Sequence, residues 1–118
     1  MAAFATVEEY LGSLSDEVRA PLEVALERAQ QSVPDPGLVI SYQMPTVTSG
    51  GRRVAHLAGW KRHLAVYPVP DDEALQEEMA AYRSGESSLK FPLGSPIPYD
   101  LIGRVVAALS AQQDGGTR

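Results

Sequence analysis

Residues 53–67 read RVAHLAGWKRHLAVY, and this stretch decides the fold. Arg53 to Trp60 and His63 to Val69 alternate in polarity, as two strands of a hairpin do. A two-residue turn at Lys61-Arg62 would pair the strands so that alternate side chains share a face. Leu57, Leu64 and Val66 would then point towards covering helices. The opposite face would carry six side chains: His56, Ala58, Trp60, His63, Ala65 and Tyr67.

That opposite face combines imidazole, indole and phenol groups, a mixture that suits a ligand pocket or an interface. A preceding alternating run, Leu38 to Met44, would extend it. We therefore predict a ligand or interface face formed by Tyr42, Met44, Trp60, Lys61, His63 and Tyr67. The alternative is that Trp60 and Tyr67 belong to a small satellite core beside half-exposed histidines.

Helices flank these strands on both sides. Thr6 and Glu9 form a capping box at the start of a first helix, and Asp71-Asp72 can cap a later one. The predicted elements are helices over Val7–Leu14 and Asp16–Val33, the strand Leu38–Met44, a turn at Thr48–Gly51, the hairpin, a helix after Asp72, a short strand Ser87–Phe91 and a last helix from Pro98. The order αα-βββ-α-β-α predicts an α+β fold, with a small antiparallel sheet and helices packed on one face.

The chain has 118 residues, a size typical of one domain. We predict a single domain over residues 1–111 and a flexible, Gly-rich tail over 112–118. The net charge of −5 disfavours binding to nucleic acid. No signal peptide or membrane-spanning run is visible, which favours a cytoplasmic protein with no membrane partner.

Catalytic motifs are missing from the sequence. There is no cysteine, no phosphate-binding glycine loop and no zinc-protease or nucleophile-elbow motif. The two histidines, His56 and His63, lack metal-motif spacing. We therefore predict that the protein is not an enzyme.

Clustered carboxylates are the one pattern that suggests a metal. Asp16, Glu23 and Glu27 lie opposite the apolar stripe of the second helix, and Glu73, Glu77 and Glu78 are grouped on the third. Carboxylate oxygens can hold hard cations such as Fe²⁺ loosely. We predict Asp16, Glu23 and Glu27 as candidate metal ligands, the alternative being a solvated helix face.

Several short motifs resemble the YdhG-like family of small bacterial domains. The family's ISYGMP motif corresponds to Ile40–Pro45, its FKxH motif to Trp60–His63 and its FYP motif to Val66–Pro68. Its RFPLxxPLPxDLI motif corresponds to Lys90–Leu93 followed by Pro96–Ile102, and Val7–Leu11 also matches. Gln43 stands where the family usually has Gly, and Gly59-Trp60 replaces its usual Ala-Phe.

The resemblance implies a compact α+β fold without enzymatic activity. The family is described as frataxin-like, with some members acting as intracellular iron chaperones. The resemblance implies iron as cofactor and iron–sulfur or haem assembly proteins as partners, and carboxylate ligands would hold that iron weakly. The first hypothesis is thus an iron-delivery protein, and its rival is a small-molecule or protein-binding module using the aromatic and histidine face. The oligomeric state is not predicted.

Overall fold

Four helices and five strands make up the computed structural model, which describes residues 4–116. In chain order they are α1 (Val7–Gly12), α2 (Asp16–Gln31), β1 (Pro36–Ser41), β2 (Met44–Ser49), β3 (Arg52–Gly59), β4 (His63–Tyr67), α3 (Glu73–Ala80), β5 (Leu89–Pro92) and α4 (Tyr99–Gly116). The predicted α+β class is confirmed.

The strands form one antiparallel sheet in the order β1-β2-β3-β4-β5. His56 pairs with Tyr67 and Ala58 with Ala65, which confirms the predicted register. The amide of Trp60 donates to the carbonyl of His63 at 2.8 Å, closing the two-residue loop. Alternation alone therefore placed this hairpin correctly.

Helices α2 and α4 cover one face of the sheet and contact each other and β3. Leu57, Leu64 and Val66 each keep about 1% of their surface exposed beneath them. Full burial of such a side chain stabilises the fold by about 1.5–3 kcal/mol. The prediction that the aliphatic face of the hairpin meets the helices is confirmed.

The predicted strand over Leu38–Met44 is wrong in its second half. Tyr42 and Gln43 form a two-residue turn with φ of 55° and 61°, and β2 starts at Met44. Two consecutive left-handed residues normally need Asn or Gly, so the side-chain types gave no turn signal. The sheet therefore has five strands, and the order is αα-ββββ-α-β-α.

The turn predicted over Thr48–Gly51 is shorter than expected. Strand β2 continues to Ser49, and Gly50-Gly51 alone form the loop, with φ of 60° and 83°. Both angles lie where glycine is favoured.

The last helix runs to Gly116, past residue 111 where the predicted domain ends. The Gln112 side chain accepts from the Asp71 amide and donates to its carbonyl. Residues 1–3 of the predicted domain and 117–118 of the predicted tail lie outside the described residues. No helix within residues 4–116 is long and apolar enough to cross a membrane.

Candidate functional site: an aromatic cleft

A cleft opens where α1, the β1–β2 turn and the end of β3 meet. Its volume is about 500 Å³. It is lined by Phe4, Tyr10, Tyr42, Gln43, Met44, Trp60 and Tyr67. Five of these seven side chains are aromatic, and none carries a formal charge at neutral pH. We call this group of residues the aromatic cleft.

The pairing of β3 explains why the cleft exists. Because Trp60 bonds to β4, the amide and carbonyl of its neighbour Gly59 point the other way, towards β2. The β2–β3 ladder ends at Thr46 and His56, so no strand within residues 4–116 pairs with Gly59 on that side. The sheet is open at this point.

The hydroxyl of Tyr10 takes the place of the missing strand. It accepts from the Gly59 amide at 3.0 Å and lies 3.4 Å from the Gly59 carbonyl. Tyr10 is a buried residue of α1, with 7% of its surface exposed. Burial raises the pKa of the Tyr10 phenol. The hydrogen bond with Gly59 lowers this pKa in part, and nearby Tyr67 raises it further. The ring is thus a fixed, protonated part of the cleft wall.

Gly59 also allows α2 to approach the sheet closely. A Cβ atom at this position would lie 2.7 Å from Cγ1 of Val18 and 3.1 Å from Cδ1 of Leu14. Such distances require a neighbour to move, so a larger residue would push the helix layer outward.

Trp60 and Tyr67 meet on the outer face of the sheet. The indole Nε1–H of Trp60 donates to the Tyr67 hydroxyl at 3.2 Å. This bond spans the Ala58–Ala65 pair, which lies between them in the register and is fully buried. Trp60 nevertheless keeps 48% of its surface exposed. The indole is held in place with a large part of its surface free.

The β1–β2 turn supplies the opposite rim. Tyr42 is 77% exposed, and its ring lies edge-on to His56 with centroids 5.5 Å apart. Gln43 turns its Oε1 back to accept from the amide of Phe4 at 2.9 Å. Left-handed residues other than glycine cost of order 1–3 kcal/mol each and cluster at functional sites.

His56 lies beside the cleft and pairs with the side chain of Thr46. Its Nδ1 is 2.7 Å from the hydroxyl of Thr46, which itself donates to the carbonyl of Met44. With the Thr46 proton directed at the Met44 carbonyl, Nδ1 of His56 is the donor; in the other tautomer the hydroxyl would turn its proton to Nδ1. Burial, and secondly the charge of Arg53, lower the pKa of His56 and favour the neutral ring.

The structure brings together four of the six residues predicted for the ligand face, namely Tyr42, Met44, Trp60 and Tyr67. Lys61 lines a different cleft beside Ser15 and Arg62. His63 lies outside the lining with its ring centroid 6.5 Å from that of Trp60. Burial, followed by the charge of Lys90, lowers the pKa of His63.

Sequence reasoning missed Phe4, Tyr10 and Gln43. Tyr10 lies on the buried side of α1, where its hydrophobic position gave a signal for the core and none for a cleft. The departure of Gln43 from the family's glycine was the one hint that this turn is unusual.

The predicted metal ligands Asp16, Glu23 and Glu27 are exposed residues of α2. The carboxylate of Asp16 is paired with Arg19. On α3, Glu78 accepts two bonds from Arg104 at 2.7 and 2.8 Å, and these bonds lower the pKa of its carboxyl. Within residues 4–116 no three histidine, aspartate or glutamate side chains lie close enough to hold a metal ion.

Comparison with known proteins finds no matching family model and no matching curated protein. Among solved structures, the crystal structure of YdhG from Bacillus subtilis, a DUF1801 family protein, superimposes with a TM-score of 0.77. The match covers 91% of this chain and 90% of that one, at 23% sequence identity. The chain therefore has the fold of the Bacillus subtilis YdhG protein.

Proposed function

We propose that the protein is a binding module that holds a small molecule in the aromatic cleft. The observation that carries the proposal is the exposure of Tyr42 and Trp60, two large rings facing one concave site. Burying either ring under a ligand would remove apolar surface from water, at about 25 cal/mol per Å².

Two features of the cleft favour a small molecule as its occupant. A volume of about 500 Å³ lies within the range of small-molecule sites, roughly 300–1,000 Å³. Three of the rings are also held in place before binding, since Tyr10 bonds to Gly59 and Trp60 bonds to Tyr67. Preorganised side chains lose little further entropy when a ligand binds.

The part of the cleft lining that the structure describes offers no reactive group that would favour catalysis. Its side chains are aromatic rings, a thioether and an amide, and the phenol of Tyr10 has a raised pKa. A nucleophile or general base would need to be ionised or activated near neutral pH. The absence of enzymatic activity stays a prediction.

Trp60 provides the test, because it is the only tryptophan of the chain. We expect ligands from a small-molecule screen to change its fluorescence and to bind at least tenfold more weakly to Tyr42→Ala. Val24→Ala is the matched control, because Val24 is 42% exposed on α2, away from the cleft lining. Ligands whose affinity is the same for Tyr42→Ala and wild type, or a screen without any hit, would refute the proposal.

Iron delivery to iron–sulfur or haem assembly proteins is the second proposal, and it rests on the family resemblance. Its support is the exposure of Glu23 and Glu27, one turn apart on α2. Exposed carboxylates would hold Fe²⁺ weakly, as a donor protein requires. We rank this function below the aromatic cleft because no third ligand joins them within residues 4–116.

A further inference from the structure

We infer that the ligand of the aromatic cleft carries a quaternary ammonium group, as in a small, soluble trimethylammonium compound. This inference rests on the proposed function and names the chemical class of its ligand. It follows from which groups line the cleft, which are absent, and which hydrogen-bond acceptors are already in use.

The lining is aromatic instead of aliphatic. Among residues 4–116, five rings line the site together with Met44 and Gln43. The faces of phenyl, phenol and indole rings carry partial negative charge and attract cations, most strongly in the case of Trp. A cleft serving only apolar ligands would work equally well with Leu, Ile or Val, and the described lining contains none of these.

No charged side chain lines the cleft among residues 4–116. No lysine or arginine therefore occupies the site of a cationic ligand. The chain as a whole carries a net charge of −5, which favours the approach of cations. Anionic ligands would find no counter-charge.

The hydrogen-bond acceptors explain why the cation should be quaternary. The Tyr10 oxygen accepts from the Gly59 amide, and the Tyr67 oxygen accepts from the indole of Trp60. The Gln43 oxygen accepts from the amide of Phe4. Each of these oxygens has one bond already, so a primary ammonium would have to share them for its three N–H groups, and unpaired buried donors are unfavourable. A quaternary ammonium has no N–H group and needs none.

The decisive experiment compares choline with 3,3-dimethyl-1-butanol, its uncharged isostere, using Trp60 fluorescence on the wild-type protein. Both ligands have the same shape, so their difference isolates the charge. We expect choline to bind at least tenfold more tightly, equivalent to about 1.4 kcal/mol. Tetramethylammonium should compete with choline for the same site.

Variants then test which rings are responsible. Tyr42→Leu keeps an apolar side chain and removes the ring, so choline should bind at least threefold more weakly while the isostere is little affected. Trp60→Leu, followed by NMR titration, provides an independent variant. Val39→Ala is the control, because Val39 is 44% exposed but absent from the cleft lining.

Each outcome gives a distinct answer. Preference for choline that depends on the rings supports the inference. Equal binding of choline and its isostere overturns it and leaves the proposed function in place. The inference also fails if neither binds while other small molecules from the screen do. If no small molecule binds at all, the inference and the proposed function fall together.

Discussion

Replacing Tyr10 by Phe tests the account of how the cleft is held open. The change removes one hydroxyl and keeps the ring, so packing around α1 is preserved. The variant loses the hydrogen bond that the Gly59 amide donates to the Tyr10 hydroxyl at 3.0 Å. This bond is buried, since Tyr10 keeps 7% of its surface exposed. A buried donor left without a partner destabilises a protein by about 1–3 kcal/mol. We expect a loss close to 2 kcal/mol.

This loss can be expressed as a melting temperature. An unfolding entropy of about 2.1 cal/mol/K per residue, applied to 118 residues, makes 1 kcal/mol equivalent to about 4 °C. Tyr10→Phe should therefore melt about 8 °C below wild type in thermal unfolding followed by circular dichroism. Tyr42→Phe is the matched control, since Tyr42 is 77% exposed, and it should shift the midpoint by under about 2 °C.

The same variant carries a pH signature. The folded-state pKa of Tyr10 is raised above its ordinary value of 10.0. Stability from the protonated phenol is therefore complete below about pH 10 and is lost as pH rises through the folded-state pKa. The stability difference between wild type and Tyr10→Phe should shrink above pH 10. Equal stability of the two proteins at pH 7 would refute the assignment of the Tyr10 hydroxyl as the partner of Gly59.

Three further predictions concern Gly59, His56 and the candidate metal ligands on α2. Gly59→Ala should lower the free energy of unfolding by about 1–3 kcal/mol in urea denaturation, because its Cβ would overlap α2; unchanged stability would contradict this close approach. The pKa of His56 should lie below 6.5 in an NMR titration. The stability that the neutral His56 ring contributes is therefore present above about pH 6.5 and is lost as pH falls through the folded-state pKa. His56→Gln should not show this loss. If the resemblance predicts iron correctly, anaerobic Fe²⁺ titration should show binding above a Mg²⁺ background. This Fe²⁺ binding should weaken when Asp16, Glu23 and Glu27 are changed together to Asn or Gln. Wild-type binding at the Mg²⁺ level would end the iron hypothesis.

The hairpin was predictable because its information is local. Strand alternation has a period of two, so a single correct turn fixes every face from His56 to Tyr67. Lys61-Arg62 is a poor hairpin turn by residue type, so the turn was assumed from the alternation on either side of it, and the aliphatic residues on one side gave the direction of the core. The outer face of the hairpin and two residues of the cleft, Trp60 and Tyr67, followed directly.

The cleft floor was not predictable, because it depends on contacts between residues far apart in the chain. Tyr10 and Gly59 are 49 positions apart, and their bond exists only because β2 stops pairing before it reaches Gly59. Neither the spacing nor the composition of the sequence indicates at which residue two strands stop pairing. The candidate carboxylates show the converse case, since a shared helix face placed Glu23 and Glu27 near each other without bringing in a third ligand.

The turn at Tyr42-Gln43 links the missed strand to the candidate site. A connection between β1 and β2 alone would form more easily from Asn-Gly, whose residues adopt positive φ with little strain. This chain instead holds two bulky residues at φ of 55° and 61°. The Gln43 side chain ties the turn to the segment before α1, and the Tyr42 ring remains 77% exposed at the rim of the cleft. A prediction that places turns only at residues with low strain will miss the turn at Tyr42-Gln43. The missed turn contains residues on which we propose that binding depends.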